Sequence, residues 1–214
     1  MAEERGGHQR HHQHQQVHPN VWNVVDVEAT CWSGEQPPGM AHEIIEIGLT
    51  VLDIARRERV SKHRILVRPE RSTISAFCEE LTGLTQDEVD GGVTFEEACR
   101  TLAKDFAAGT RPWASWGDYD RKQFEAQCAA TRTGYPFGRR HVNAKAEFTK
   151  SHGLKKRPGM AQALELAGLP LEGRHHRGED DAWNIAALIL HVVERGDGHG
   201  DAGAFGLSVT HTDA

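Results

Sequence analysis

A chain of 214 residues is long enough for one ordinary domain with a full hydrophobic core. Its formal net charge is −6, whereas proteins that only bind nucleic acid are usually basic. Bound cations can nevertheless make one site locally positive. The four cysteines are scattered without a CxxC pair, which argues against a zinc or redox motif and a disulfide framework.

The two ends of the chain differ in composition from its middle. Residues 1–19 are almost free of apolar side chains and rich in histidine, and residues 196–214 are mostly small and polar. We expect a disordered His-rich tail, a folded domain over residues 20–195 and a flexible Gly-rich tail. Histidine tracts bind transition metals adventitiously, so this one is assigned no catalytic role. With no secretory signal and no apolar run near the length of a membrane span, we expect a cytoplasmic protein that does not contact membranes.

Three strands are predicted in the first third of the domain. The Val-rich stretch 21–29 is the first, and stretches 43–53 and 59–69 follow, the last one stopped by Pro69. Because the second and third are joined by a short polar connection, they predict a hairpin, and the three together predict an antiparallel meander.

Helical periodicity then takes over. Residues 74–85 predict a short helix that ends near Gly83. Residues 94–109 predict a longer one, in which Thr94 and Glu97 have the spacing of a capping box and Gly109 closes the helix.

Strands and helices alternate in the remainder of the domain. Short strands are predicted at 111–117 and 139–144, and helices at 120–131, 146–153, 159–168 and 179–196. The whole pattern predicts an α/β fold with a mixed five-stranded sheet flanked by helices.

Two carboxylates lie side by side at the end of the first strand. Asp26 and Glu28 are two residues apart, so in a strand their side chains point to the same face. Like charges at that distance repel each other and raise a pKa. We therefore expect a positively charged group or a bound cation next to this pair.

Further acidic residues occur where other elements begin. Asp118 and Asp120 follow the fourth strand at the start of a helix, and Asp180 and Asp181 lie at the start of the last helix, just after a His-His pair. Singly, such residues are more often helix caps or dipole partners than ligands. In open α/β sheets, however, sites form beyond the strand ends, where these groups would meet.

Several carboxylates without cysteine suit hard divalent cations such as Mg²⁺ or Mn²⁺. Two ions about 3.5–4 Å apart hold the attacking and leaving oxygens of an in-line phosphoryl displacement, and a nearby histidine accepts the proton of the attacking water. The residues thus favour metal-dependent phosphodiester chemistry.

The sequence resembles the DEDDh 3′→5′ exonucleases of the ribonuclease-H-like fold, in particular the Eri-1-like branch that includes the histone-mRNA 3′-exonuclease. The resemblance extends over residues 21–195, and "LTGLTQDEVD" adds branch-level specificity. It rests on the stretches "VVDVEATCW", "HEIIEIGLTVLD", "VRPE", "ISAFCEELTGLTQDEVD", "SWGDYDRKQF" and "GRHHRGEDDAWNIA".

The resemblance implies a catalytic set. It implies two Mg²⁺ or Mn²⁺ ions, with Asp26 bridging both, and one histidine as the general base. Asp118 is the alternative to Asp120, and the pair His175 and Asp180 is the alternative to His176 and Asp181. The implied residues are Asp26, Glu28, Asp120, His176 and Asp181.

The resemblance also implies substrate contacts. Ala29 and Thr30 would contact the 3′-terminal nucleotide, with the Thr30 hydroxyl or backbone N–H groups as donors to its sugar. Phe77, Leu81 or Leu84 would pack against the terminal base, although their spacing equally fits an ordinary helix face in the core.

The implied function is removal of nucleoside 5′-monophosphates from the 3′ end of single-stranded nucleic acid, with RNA favoured over DNA. Rival readings are a DNA exonuclease or proofreading-type subunit with the same site, and a non-catalytic nucleic-acid-binding module. A degenerate copy would have lost an acidic position, whereas this chain retains all four. The basic runs 155–157 and 174–177 either contact phosphates or form solvated surface.

Overall fold

The computed structural model describes residues 19–198. Five strands form one sheet in the order β3-β2-β1-β4-β5, in which β1, β2 and β3 are antiparallel neighbours while β4 and β5 run parallel to β1. The predicted mixed sheet is confirmed. The strands are β1 (Val21–Ala29), β2 (Ile44–Asp53), β3 (Glu58–Leu66), β4 (Trp113–Ser115) and β5 (His141–Asn143).

Seven helices accompany the sheet in the described part of the chain. Six were predicted from periodicity, and the five-residue helix α2 was not. They are α1 (Ala76–Thr82), α2 (Gln86–Asp90), α3 (Phe95–Asp105), α4 (Tyr119–Thr131), α5 (Ala144–Ser151), α6 (Met160–Ala167) and α7 (Gly178–Gly198).

Local signals account for most helix boundaries. The predicted capping box at Thr94 and Glu97 starts α3, and α1 ends at Gly83 in the left-handed region with φ of 71°. The prediction that Gly109 closes α3 is wrong. The helix ends at Asp105, because Phe106 leaves helical geometry and Ala107 takes a φ of 50°.

The limits of the folded domain agree only in part with the expected boundaries. Helix α7 continues to Gly198, three residues into the segment 196–214 that was expected to be a flexible tail. Residues 1–18 and 199–214, which hold nearly all of the two expected tails, lie outside the described residues. None of the helices within residues 19–198 is long and apolar enough to cross a membrane.

Strand β1 is buried on both faces, and its alternation decides where the acidic residues point. Trp22 and Val24 pack with α5, α6 and α7, whereas Val25 and Val27 pack with α3 and α4. Asp26 and Glu28 continue the Trp22–Val24 series at a period of two, so their side chains lie on the α7 side of the sheet.

Two glycines allow α7 to begin directly against the sheet. A Cβ atom on Gly48 of β2 would lie 1.9 Å from the backbone carbonyl carbon and oxygen of Gly178. The same approach lets the Gly178 N–H donate a 3.2 Å hydrogen bond to the buried Glu46 carboxylate, which also pairs with Arg64 at 2.7 Å. The first turn of α7 is thereby brought next to the end of β1.

We expect Gly48→Ala to lower the free energy of unfolding by about 1–3 kcal/mol, because the added methyl group would overlap the Gly178 backbone. Urea denaturation would measure this loss. Gly34→Ala is the matched control, since a Cβ on Gly34 has no neighbour within 4 Å. Equal stability of the two variants would contradict the close approach of α7 to β2.

Candidate active site

A cleft of about 330 Å³ opens beyond the carboxyl ends of β1 and β4, beside the start of α7. Sites of α/β sheets form at such strand ends. The cleft is lined by Asp26, Val27, Glu28, Trp116, Tyr119, Asp120, Lys145, Gly159, Met160, His175, His176 and Asp181. All five residues of the implied catalytic set are therefore in one place.

Three of these carboxylates are close enough to bind the same metal ion. One oxygen each from Asp26, Glu28 and Asp181 lies within 4.8 Å of the others. Burial, followed by the charge of Asp120, raises the pKa of Asp26 well above its ordinary value. Burial, followed by the charge of Asp181, raises the pKa of Glu28 to about 8.

Asp120 approaches the group from α4. Its Oδ1 accepts a 3.0 Å hydrogen bond from the Val27 N–H, between the two acidic residues of β1. Burial raises the pKa of Asp120 to about 6, while that hydrogen bond and the charge of Lys145 oppose the rise. The first turn of α4 is thus tied to the end of β1 through this carboxylate.

The alternative Asp118 lies outside the cleft. Its side chain accepts a 3.1 Å hydrogen bond from Asn143 Nδ2 and contacts Arg121 at 3.5 Å. It forms no side-chain cap bond at the start of α4 and remains 41% exposed. The structure therefore brings Asp120, and not Asp118, to the other carboxylates.

The two acidic residues at the start of α7 are separated in the same way. Asp181 accepts hydrogen bonds from the His176 N–H at 2.9 Å and from His175 Nδ1 at 3.0 Å, and it faces the cleft. Asp180 points elsewhere, to the Lys62 ammonium and to the Arg174 N–H at 2.8 Å. The alternative pair His175 and Asp180 is not assembled in the cleft.

Both histidines line the cleft, and their rings stack with centroids 4.0 Å apart. His175 is held by its contact with the Asp181 carboxylate. His176 has a φ of 65°, a left-handed conformation that is uncommon for a non-glycine residue and often marks functional sites. Burial, followed by the charge of His175, lowers the pKa of His176.

Three of the five implied substrate residues are buried and do not line the cleft. Ala29 is 7% exposed, and Leu84 is fully buried among Ile45, Cys78 and Val89, so it serves as core. The Thr30 hydroxyl donates to the Ala41 carbonyl at 2.9 Å and accepts from the Glu43 N–H at 2.9 Å. Leu84 is therefore enclosed in the core, and the hydroxyl proton of Thr30 is used within the protein.

Phe77 and Leu81 fit the expectation better. They lie four residues apart on α1, so they share one face of the helix, and they are 40% and 36% exposed. The Arg174 guanidinium packs against Gly83 at the end of α1, so this helix adjoins the histidine loop. Neither side chain lines the cleft itself.

Several cleft residues were missed from the sequence. Tyr119 lines the cleft and is 56% exposed. Trp116, Lys145 and Met160 also line it. Their positions at strand ends and helix starts were the available signal, but nothing in their local sequence sets them apart from other such residues.

The donor set suits a hard divalent cation. Four carboxylates and two histidines face one cleft, and cysteine is absent from its described lining. Burial first, and the charges of the neighbouring carboxylates second, raise the pKa values of Asp26 and Glu28, and Lys145 is the single Lys or Arg among the described lining residues. The site therefore has the excess negative charge that bound cations would neutralise.

Comparison with known proteins gives the family. A sequence profile of the family described as exonuclease matches residues 24–189. The human 3′-5′ exoribonuclease 1 is 33% identical over 183 residues, covering 81% of this chain and 52% of that protein. The chain thus spans about half the length of the curated relatives that it matches first.

Solved structures agree with this assignment. The nuclease domain of 3′hExo, a DEDDh family member bound to rAMP, superimposes with a TM-score of 0.73 at 31% identity, covering 83% of this chain and 93% of that one. A 3′-exonuclease described in the recognition of the histone mRNA stem-loop gives a TM-score of 0.73 at 31% identity, covering 84% of this chain and 65% of that one. The chain belongs to the exonuclease family, in a ribonuclease-H-like fold shared with the divalent-metal-dependent DEDDh nucleases.

Proposed function

We propose that this protein is a 3′→5′ exonuclease that removes nucleoside 5′-monophosphates from single-stranded nucleic acid, with RNA as the preferred substrate. The observation that carries the proposal is the convergence of four carboxylates and two histidines in one cleft. The names of the relatives, 3′-5′ exoribonuclease 1 and a 3′-exonuclease that recognises the histone mRNA stem-loop, favour RNA.

Asp26, Glu28, Asp120 and Asp181 would hold two divalent cations, Mg²⁺ or Mn²⁺, with Asp26 contributing to both. When bound, such ions supply charge neutralisation at the scissile phosphate and acidify an attacking water. Two of these carboxylates are held by the protein itself, because Asp120 accepts from the Val27 N–H and Asp181 from the His176 N–H. This preorganisation supports the assignment.

His176 is proposed as the general base. The His175 ring is engaged with the Asp181 carboxylate, whereas His176 contacts Asp181 through its backbone N–H. The ring nitrogens of His176 form no hydrogen bond with another described residue, so they are available to a water molecule. A pKa below the ordinary value keeps this imidazole neutral and able to accept a proton near pH 7.

The remaining walls suit a nucleotide. Tyr119 and Trp116 offer aromatic faces on which a base can stack, and Lys145 offers a cation for a phosphate. The exposed side chains of Phe77 and Leu81 extend the apolar surface on α1. The buried Ala29 and Thr30 would act through the conformation of the segment after β1, and Leu84 through the packing of α1.

The central prediction is Mn²⁺- or Mg²⁺-dependent shortening of labelled single-stranded RNA from its 3′ end. Asp26→Asn should lower the rate by several orders of magnitude, because a carboxylate ligand is lost, while Asp118→Asn, outside the cleft, should retain activity. Parallel RNA and DNA substrates test the sugar preference. Activity that persists in EDTA, or shortening from the 5′ end, would refute the proposal.

Alanine variants of the two histidines should differ in which kinetic parameter they change. His176→Ala should lower kcat by about 10²–10⁴-fold, as expected for loss of a general base, with little change in the Mn²⁺ concentration that gives half-maximal activity. His175→Ala should shift that Mn²⁺ concentration, because His175 orients Asp181. The reverse pattern would identify His175 as the base.

The metal-free protein should lose stability as the pH rises. The Glu28 pKa is about 8 in the folded protein against an ordinary 4.5, so the unfolded chain binds fewer protons between these values. The protonated Glu28 carboxyl therefore gives its full contribution to the free energy of unfolding below about pH 4.5. This contribution is lost as the pH rises towards 8, by up to about 1 kcal/mol per pH unit.

Thermal or urea unfolding in EDTA from pH 5 to 8 would measure this slope, and Glu28→Gln should flatten it. Added Mn²⁺ should restore stability at the high-pH end, since the ion binds the folded state. A Glu28→Gln slope identical to that of the wild type would show that Glu28 is ionised throughout.

A further inference from the structure

A basic loop, Lys155–Lys156–Arg157, lies between α5 and α6. All three side chains are exposed, and none forms an ion pair or side-chain hydrogen bond with another described residue. The cations of β3 are different, because each is paired with an acidic side chain. Those pairs are Arg59–Glu172, Lys62–Asp180 and Arg64–Glu46.

The basic loop is attached to the wall of the cleft. Pro158, the next residue, is buried, and its carbonyl accepts a 3.2 Å hydrogen bond from Trp116 Nε1. Trp116, Gly159 and Met160 all line the cleft. Since a residue spans at most about 3.6 Å, the Arg157 Cα lies within about 7 Å of Gly159 and the Lys155 Cα within about 14 Å. The three exposed cations therefore lie on the segment that leads directly into the cleft wall.

Positive charge also exists deeper in the cleft. Lys145 begins the helix whose other end leads into the basic loop, and its charge opposes the rise in the pKa of Asp120. The chain as a whole carries a formal net charge of −6, and four carboxylates face the cleft. A polyanionic strand that reaches these carboxylates needs a local set of unpaired cations along its approach.

We propose that the basic loop, together with Lys145, forms a phosphate track that binds the nucleic-acid strand just upstream of its 3′-terminal nucleotide. This inference rests on the proposed function of the cleft. The substrate is then a strand of several nucleotides, and the basic loop binds its phosphates outside the cleft. The contact is sequence-independent, because it involves the backbone alone.

The test compares an oligo(A) RNA of about 12 nucleotides, which can span the track, with a trinucleotide, which cannot. In the variant Lys155→Gln/Lys156→Gln/Arg157→Gln, the ratio of kcat/KM for the long substrate to that for the short one should fall about tenfold at physiological salt. The slope of log Kd against log salt for the long RNA, measured by fluorescence anisotropy, should become about 2 units shallower, at about 0.7 per lost contact.

Arg100→Gln/Lys104→Gln is the control. These exposed cations belong to α3, which packs on the opposite face of the sheet, so ratio and slope should match the wild type. Unchanged ratio and slope in the basic-loop variant would overturn the track and leave a solvated surface. A wild type that binds the long RNA with a steep slope but does not cleave it would refute the proposed function alone, since the slope still tests the track.

Discussion

The contact between Gly48 and Gly178 is the constraint on which the site depends. Because neither residue has a Cβ, the backbone of α7 begins against β2, and the buried Glu46 secures it by accepting the Gly178 N–H. This places Asp181, in the first turn of α7, within ligand-sharing distance of Asp26 on the adjacent strand β1. A side chain at Gly48 would overlap the Gly178 backbone and so would push the start of α7 away from the carboxylate cluster.

The cluster so formed opposes folding electrostatically. Burial and mutual repulsion raise the pKa values of Asp26, Glu28 and Asp120, so ionising them costs more in the folded protein than in the unfolded chain. The fold tolerates this because apolar layers on both faces of the sheet supply stability away from the cleft. Strain of this kind concentrates at functional sites, and here it prepares the site for cations.

Periodicity and capping signals predict the sheet and six helices, since these follow from local patterns, whereas the choice of carboxylates for the cleft rests on the resemblance to the DEDDh exonucleases. Which of two nearby residues is buried and which is exposed depends on tertiary contacts, which local patterns do not contain. Leu84 and Leu81 are predicted on the same helix, yet Leu84 follows the left-handed Gly83 that ends α1 and is buried, whereas Leu81 within α1 is exposed. The hydroxyl of Thr30 is occupied by Ala41, a partner 11 residues away that no local pattern reveals.

Asp118 and Asp120 are two residues apart, yet the first has a structural role and the second faces the cleft. Asn143 ends β5, caps α5 by accepting the Ala146 N–H at 2.9 Å, and donates to Asp118 at 3.1 Å. Asp118 thus joins the start of α4 to the start of α5. Since β4 and β5 are parallel neighbours, the starts of α4 and α5 lie side by side, and the charge of Lys145 on α5 lowers the pKa of Asp120 on α4. The exposed Asp118 links the two helix starts, and the buried Asp120 faces the cleft.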